Sequence, residues 1–151
     1  MARTDEAEWW FNAVYEAIQQ IPYGKVTSYG HIARLLGCPQ RSRQVGICLK
    51  HLPSSPDEYY NNDNVPWQRV INSKGMISHR GPGSAARQAE ALQQEGVTVR
   101  SDSMNEFYVD MAQFGWFPDR LPNEDEEEEE LGARSVGGGD LEGEVAAGGA
   151  G

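Results

Sequence analysis

The sequence predicts a mainly α-helical fold: a winged helix-turn-helix-like domain with a small β wing, followed by a disordered acidic tail. Three observations predict it. Apolar residues recur at helical spacing in three successive stretches between residues 6 and 52, and Gly37 lies in a tight turn between the second and third. A short apolar run at Val70-Ile71 is followed by Ser73-Lys74-Gly75, the pattern of a small hairpin. From about residue 119 the chain turns to acids and glycines, which cannot bury enough apolar surface to offset the entropy of ordering.

In residues 6–20, Trp10, Val14, Ala17 and Ile18 share one face with Ile21, and Asp5 with Glu8 three residues later suggests an N-terminal cap. Pro22 and Gly24 break this helix. Thr27 or Ser28 can cap a second, whose inward face is Tyr29, Ile32, Ala33 and Leu36 and which Gly37 ends. Pro39 suits the start of a third, in which Val45, Cys48, Leu49 and Leu52 line up and Arg41, Arg43 and Lys50 are basic. Its small interior Gly46 suits close approach to a phosphate backbone. Residues 53–64 are polar and turn-rich, a surface loop. Residues 66–80 read as two short strands around Ser73-Lys74-Gly75. Ser84 is placed to cap a last helix with Ala85, Ala86, Ala89 and Leu92 inward and Gly96 at its end; residues 97–111 have room for one or two more strands.

The 151 residues fit one folded domain, 1–118, with a tail, 119–151. The formal charge of −10 belongs to that tail: residues 123–151 hold ten acids and one base, leaving 13 acids and 12 bases in residues 1–122. The bulk acidity therefore says little about the folded part. The tail reads as a solubilising segment, with an acidic docking arm or DNA mimic as the alternative. Cys38 and Cys48 lack metal-ligand spacing and read as inert structural thiols in a reducing compartment; His31, His51 and His79 read as surface residues. Neither a metal nor a cofactor is implied. No apolar run has membrane length and the N-terminus resembles no targeting peptide, so the expected location is nuclear for a eukaryotic source and cytoplasmic otherwise.

IPYGKVTSYGHIARLLG, RQVG, PWQRVINSKG and LQQEGV, in that order and spacing, resemble the DNA-binding and active-site domain of the O6-alkylguanine-DNA alkyltransferases. Those proteins carry the acceptor cysteine in a Pro-Cys-His-Arg-Val motif. Here the slot reads Pro66-Trp67-Gln68-Arg69-Val70, which is similar to the alkyltransferase-like family with tryptophan in that place. The resemblance spans roughly residues 7–118. Physical reasoning says what the change removes: alkyl transfer needs a thiolate, an indole is no comparable acceptor, and the Gln68 amide cannot relay a proton. Taken alone, Trp67 would otherwise read as an ordinary core aromatic before a strand.

The resemblance implies further roles residue by residue. Tyr29 matches the tyrosine that rotates the target nucleotide, and Arg43 the finger that fills the vacated stack. Trp67, Gln68, Arg69 and Val70 match the pocket wall, Ser78 and Arg80 the pocket lid, and Glu95 the third relay member, here left only to bond Gln68. The hinge asparagine is open among Asn61, Asn62 and Asn64. The implied function is a non-enzymatic, monomeric sensor that docks its helix-turn-helix in the minor groove of double-stranded DNA, flips out O6-alkylguanine and flags it for nucleotide excision repair proteins. Its rivals are an active or vestigial methylated-DNA–cysteine methyltransferase domain, a winged-helix regulator reading sequence, and an interaction module working through its tail.

Overall fold

The computed structural model describes residues 4–124, and by its backbone contacts the chain divides into Met1–Asp119 and Arg120–Gly151. The expected tail lies, over residues 125–151, outside the described residues. Helix α1 spans Asp5–Gln19 and buries Trp10, Val14, Ala17 and Ile18 on one stripe, together with Tyr15. Its cap is Thr4 and not Asp5: the Thr4 hydroxyl accepts from the Ala7 N–H at 3.1 Å. Asp5 instead begins the helix, where its charge favours the positive end of the helix dipole.

After the break at Pro22-Gly24, strand β1 (Thr27–Ser28) runs directly into α2 (Tyr29–Leu35), and Ser28 caps α2 by accepting from the His31 N–H. Gly37, at φ 79°, turns the chain in the left-handed region. A 3-10 turn at Pro39–Arg41 then leads into α3 (Ser42–Lys50), which buries Val45, Cys48 and Leu49. The α2–turn–α3 unit is the expected helix-turn-helix. Arg41 does not share the open face of α3; its guanidinium lies 3.9 Å from the centre of the Trp10 ring.

The hairpin expected around Ser73-Lys74-Gly75 does not form as two paired strands. Trp67–Arg69 is a 3-10 turn, and strand β2 (Val70–Ile71) pairs in parallel with β1, Thr27 against Val70 and Ser28 against Ile71. Val70 and Ile71 are both fully buried, so the run has no solvent face to alternate with. Gly75 and Ile77 bond instead to Val109 and Phe107 of a later strand. Helix α4 (Ser84–Gln94) follows; its cap position is Gly83 at φ 72°, while the Ser84 hydroxyl accepts from the Arg80 N–H at 2.7 Å. Ala86 is exposed, and Gln88 takes the fourth inward place beside Ala85, Ala89 and Leu92. The antiparallel pair forms later than the hairpin expected as a wing: β3 (Val99–Ser101) pairs with β4 (Phe107–Val109), and the short α5 (Met111–Phe114) follows. Leu92, Val97 and Val109 pack with Val26, Ile71 and Ile77 into one core that ties this pair to the 70–77 segment.

Candidate nucleic-acid interface

Helices α2 and α3 and the segment Ser78–Arg80 enclose an open groove of about 520 Å³. Tyr29 enters it from the start of α2, and Ser42, Arg43, Gly46, Ile47 and Lys50 line it from α3. Arg43 and Lys50 are exposed, while Tyr29 is half-buried. Arg80 reaches across the groove, donating from Nη2 to the Tyr29 hydroxyl, with its guanidinium carbon 5.3 Å from the ring centre. Arg43, Lys50 and Arg80 line the groove and bring positive charge to it despite the nearly neutral sum over residues 1–122, while at its rim the lining His79 is paired with Glu106 at 3.0 Å. A Cβ added to Gly46 would sit 3.9 Å from the Tyr29 ring, so glycine keeps the groove floor low beside that ring.

A second cavity, about 200 Å³, adjoins the groove and shares Lys50, Ser78 and Arg80 with it. Trp67 forms its inner side with Leu49, and α4 adds Ser84, Arg87 and Gln88. The indole is half-buried, neither a core aromatic nor a free one. What fixes it is the turn beneath: the Val65 and Pro66 carbonyls accept from the Trp67 and Arg69 N–H groups, at 2.7 and 3.0 Å. The buried Gln88 side chain then donates to the Gln68 carbonyl at 3.0 Å and the Val70 carbonyl at 2.9 Å. Gln88 was missed in the sequence because a glutamine at a helical core spacing reads as a break in the apolar stripe.

Gln68, Arg69 and Val70 do not face this cavity. Val70 lies in the core between β1 and Gln88. The Gln68 amide donates to Glu95 at 2.5 Å, and Arg69 Nε pairs with the same carboxylate at 2.9 Å while its Nη1 donates to the Ile21 carbonyl at 2.8 Å. The Gly24 N–H completes the shell at 2.8 Å. Burial by itself would push the Glu95 carboxyl up, but the bonds from Arg69, Gly24 and Gln68 and the Arg69 charge outweigh it and hold the group below the ordinary glutamate value. Glu95 therefore does bond Gln68, and it also staples the Ile21–Gly24 break to the 68–69 turn.

Among the asparagines, Asn61 is buried and Asn62 and Asn64 are exposed. The Asn61 amide donates to the Glu58 carbonyl and its oxygen accepts from the Asp63 N–H, while Asn64 Oδ1 accepts from the Asn61 N–H. Together they fold the loop that delivers Val65-Pro66-Trp67. Cys48 is fully buried and Cys38 half-buried in the interhelical turn, and neither lines the groove or the cavity. His31 departs from the surface role expected for it: its Nε2–H donates to the Pro118 carbonyl at 2.7 Å beneath Phe117. Among the described residues no His, Cys, Asp or Glu cluster has the makings of a metal site, and no helix is long and apolar enough to cross a membrane.

Residues 9–97 match the family model for the DNA-binding domain of 6-O-methylguanine DNA methyltransferase, and the chain belongs to that family. Within it, the chain is 41% identical to Alkyltransferase-like protein 1 of Schizosaccharomyces pombe over 117 residues, which cover 77% of this chain and 99% of the relative. It is 39% identical to the DNA base-flipping protein of Escherichia coli over 103 residues, 68% of this chain and 70% of that one. Its fold superposes with a TM-score of 0.63 and 43% identity on the crystal structure of S. pombe Atl1 in complex with damaged DNA containing O6-carboxymethylguanine, covering 78% of this chain and 100% of the other.

Proposed function

We propose that residues 1–118 form a non-enzymatic sensor of O6-alkylguanine in double-stranded DNA, acting as a monomer. The observation that carries this reading is the convergence of Tyr29, Arg43, Ser78 and Arg80 on one basic groove opening onto the Trp67 cavity, with both thiols elsewhere. Helix α3 enters the minor groove, Tyr29 crowds a phosphate and helps rotate the nucleotide, and Arg43 fills the space it leaves. The flipped base passes Arg80 and seats its alkyl group beside Trp67. Unstacking costs a few kcal/mol, and stacking on an indole recovers about 1–3 kcal/mol per base, so a pair already weakened by alkylation is the one captured. The crystal complex of the S. pombe relative with damaged DNA supports this assignment.

Trp67 and Gln68 stand where the enzymes of the family carry cysteine and histidine, so the bound lesion stays chemically intact. The complex then serves as a flag for nucleotide excision repair proteins, in the nucleus of a eukaryotic source or the cytoplasm of a bacterial one. Incubation with a duplex containing O6-methylguanine, followed by mass analysis of both components, tests the absence of chemistry. The expected result is a persistent complex with both masses unchanged. Trp67→Cys is expected to behave alike, because Gln68 does not titrate and Glu95 is already engaged by Arg69. A methyl group gained by the wild-type protein would contradict the proposal.

A further inference from the structure

A third cavity, about 550 Å³, lies between α1 and the 53–60 loop and shares no wall with the groove or the Trp67 cavity. Its aromatic walls are Tyr15, Tyr59 and Tyr60, and Glu8, Glu16 and Glu58 supply carboxylates. The rings are stepped against one another: Tyr59 meets Tyr60 edge to face at 4.8 Å, and Tyr60 tilts against Tyr15 at 5.4 Å. Tyr59 is 83% exposed, so its ring is open to a bound group on the cavity side.

Hydrogen bonds fix the loop backbone that carries Tyr59 and the neighbouring Tyr60 side chain. Asn64 Nδ2 donates to the Tyr59 carbonyl at 2.9 Å, Asn61 Nδ2 to the Glu58 carbonyl at 3.0 Å, and the Tyr60 hydroxyl to Glu16 at 2.8 Å. Burial, and then the Glu16 contact, push the Tyr60 phenol up, so it remains a neutral donor. The walls are thus preorganised, aromatic and negative. Such walls repel phosphates and attract cations, whose charge is stabilised by ring faces and carboxylates while an aliphatic stem packs on the rings.

We infer that this cavity is a docking site for a basic side chain, lysine or arginine, of a partner protein, which can be bound while the DNA groove is occupied. A hydrogen bond from the Tyr15 hydroxyl to the Cys48 carbonyl, 2.6 Å, ties its floor to the DNA-facing helix α3. The site would give a lesion-bound sensor a face for the next protein.

The test uses the full chain free of DNA and a capped pentapeptide with a central arginine, beside the same peptide carrying neutral citrulline. Ring-proton shifts of Tyr15, Tyr59 and Tyr60 report binding. The expected result is saturable shifts with the arginine peptide, binding of the citrulline peptide weaker by at least about tenfold, and a loss of roughly tenfold in Tyr59→Ala, with a smaller loss in Glu58→Gln. Tyr59 is exposed, so its removal leaves the fold intact, and affinity of both variants for the O6-methylguanine duplex should be unchanged. Absence of saturable shifts, equal binding of the two peptides, or full affinity in Tyr59→Ala would overturn the inference.

Discussion

In the proposed sensor Arg43 and Trp67 divide the work of holding an extruded base, and their surroundings differ accordingly. Arg43 is exposed on α3 and is free to enter a base stack, so its loss should remove a contact made only with flipped DNA. Arg43→Ala is expected to weaken binding to an O6-methylguanine duplex roughly tenfold, about 1.4 kcal/mol, with little change in salt slope. Titrations at several salt concentrations check this, and equal loss on undamaged DNA would contradict the finger role. Glu95 lies deeper, its side chain 6% exposed, under the turn that carries Trp67. Its carboxyl titrates lower when folded than unfolded, so its contribution to stability is fully present above the ordinary glutamate value of 4.5 and is lost as pH falls through the lower folded value. Thermal unfolding of wild type and Glu95→Gln should show wild type the more stable near neutrality and the difference closing in acid; a constant difference would contradict the network. That Tyr29, Arg43, Ser78 and Arg80 line one groove was legible only through the resemblance, because the groove joins residues about fifty positions apart. The roles of Arg69 and Val70 in holding the turn from below were not legible, since nothing local says which way a turn's side chains face.

Helices were the most legible elements, because their stripes are local: the α1, α2 and α3 faces follow directly from the spacing of Val14, Ile18, Ile32, Val45 and Leu49. Their caps were less so, as Thr4 and Asp5 are both good capping residues and one hydrogen bond decides between them. The 70–77 segment was misread because Val70-Ile71 pairs with Thr27-Ser28, a partner over forty residues away that no local alternation reveals. Its place is fixed by α4 as well. Gln88→Leu removes both bonds from the Gln88 amide and leaves the Gln68 and Val70 carbonyls without that donor. The expected cost is about 1–3 kcal/mol in chemical denaturation. Lesion affinity should fall too, since the turn under Trp67 loosens, and a variant as stable as wild type would show that the turn holds itself.

At the scale of the molecule, charge is sorted by face. Arg43, Lys50, Arg80 and Arg87 line the groove and its adjoining cavity, whereas Glu8, Glu16 and Glu58 gather on α1 and the 53–60 loop. That sorting lets a chain of net charge −10 meet DNA on one side, and the small number of basic groups there implies few phosphate contacts and weak binding to undamaged duplex. In the proposed sensor, specificity then rests on the cost of flipping and on what the Trp67 cavity returns. The measurement that tests this most directly is a binding titration against two otherwise identical duplexes, one with O6-methylguanine and one with guanine, at the same salt concentration. The account predicts clearly tighter binding to the alkylated duplex; equal affinity for the two would contradict it and leave only a sequence-indifferent or sequence-reading DNA-binding domain.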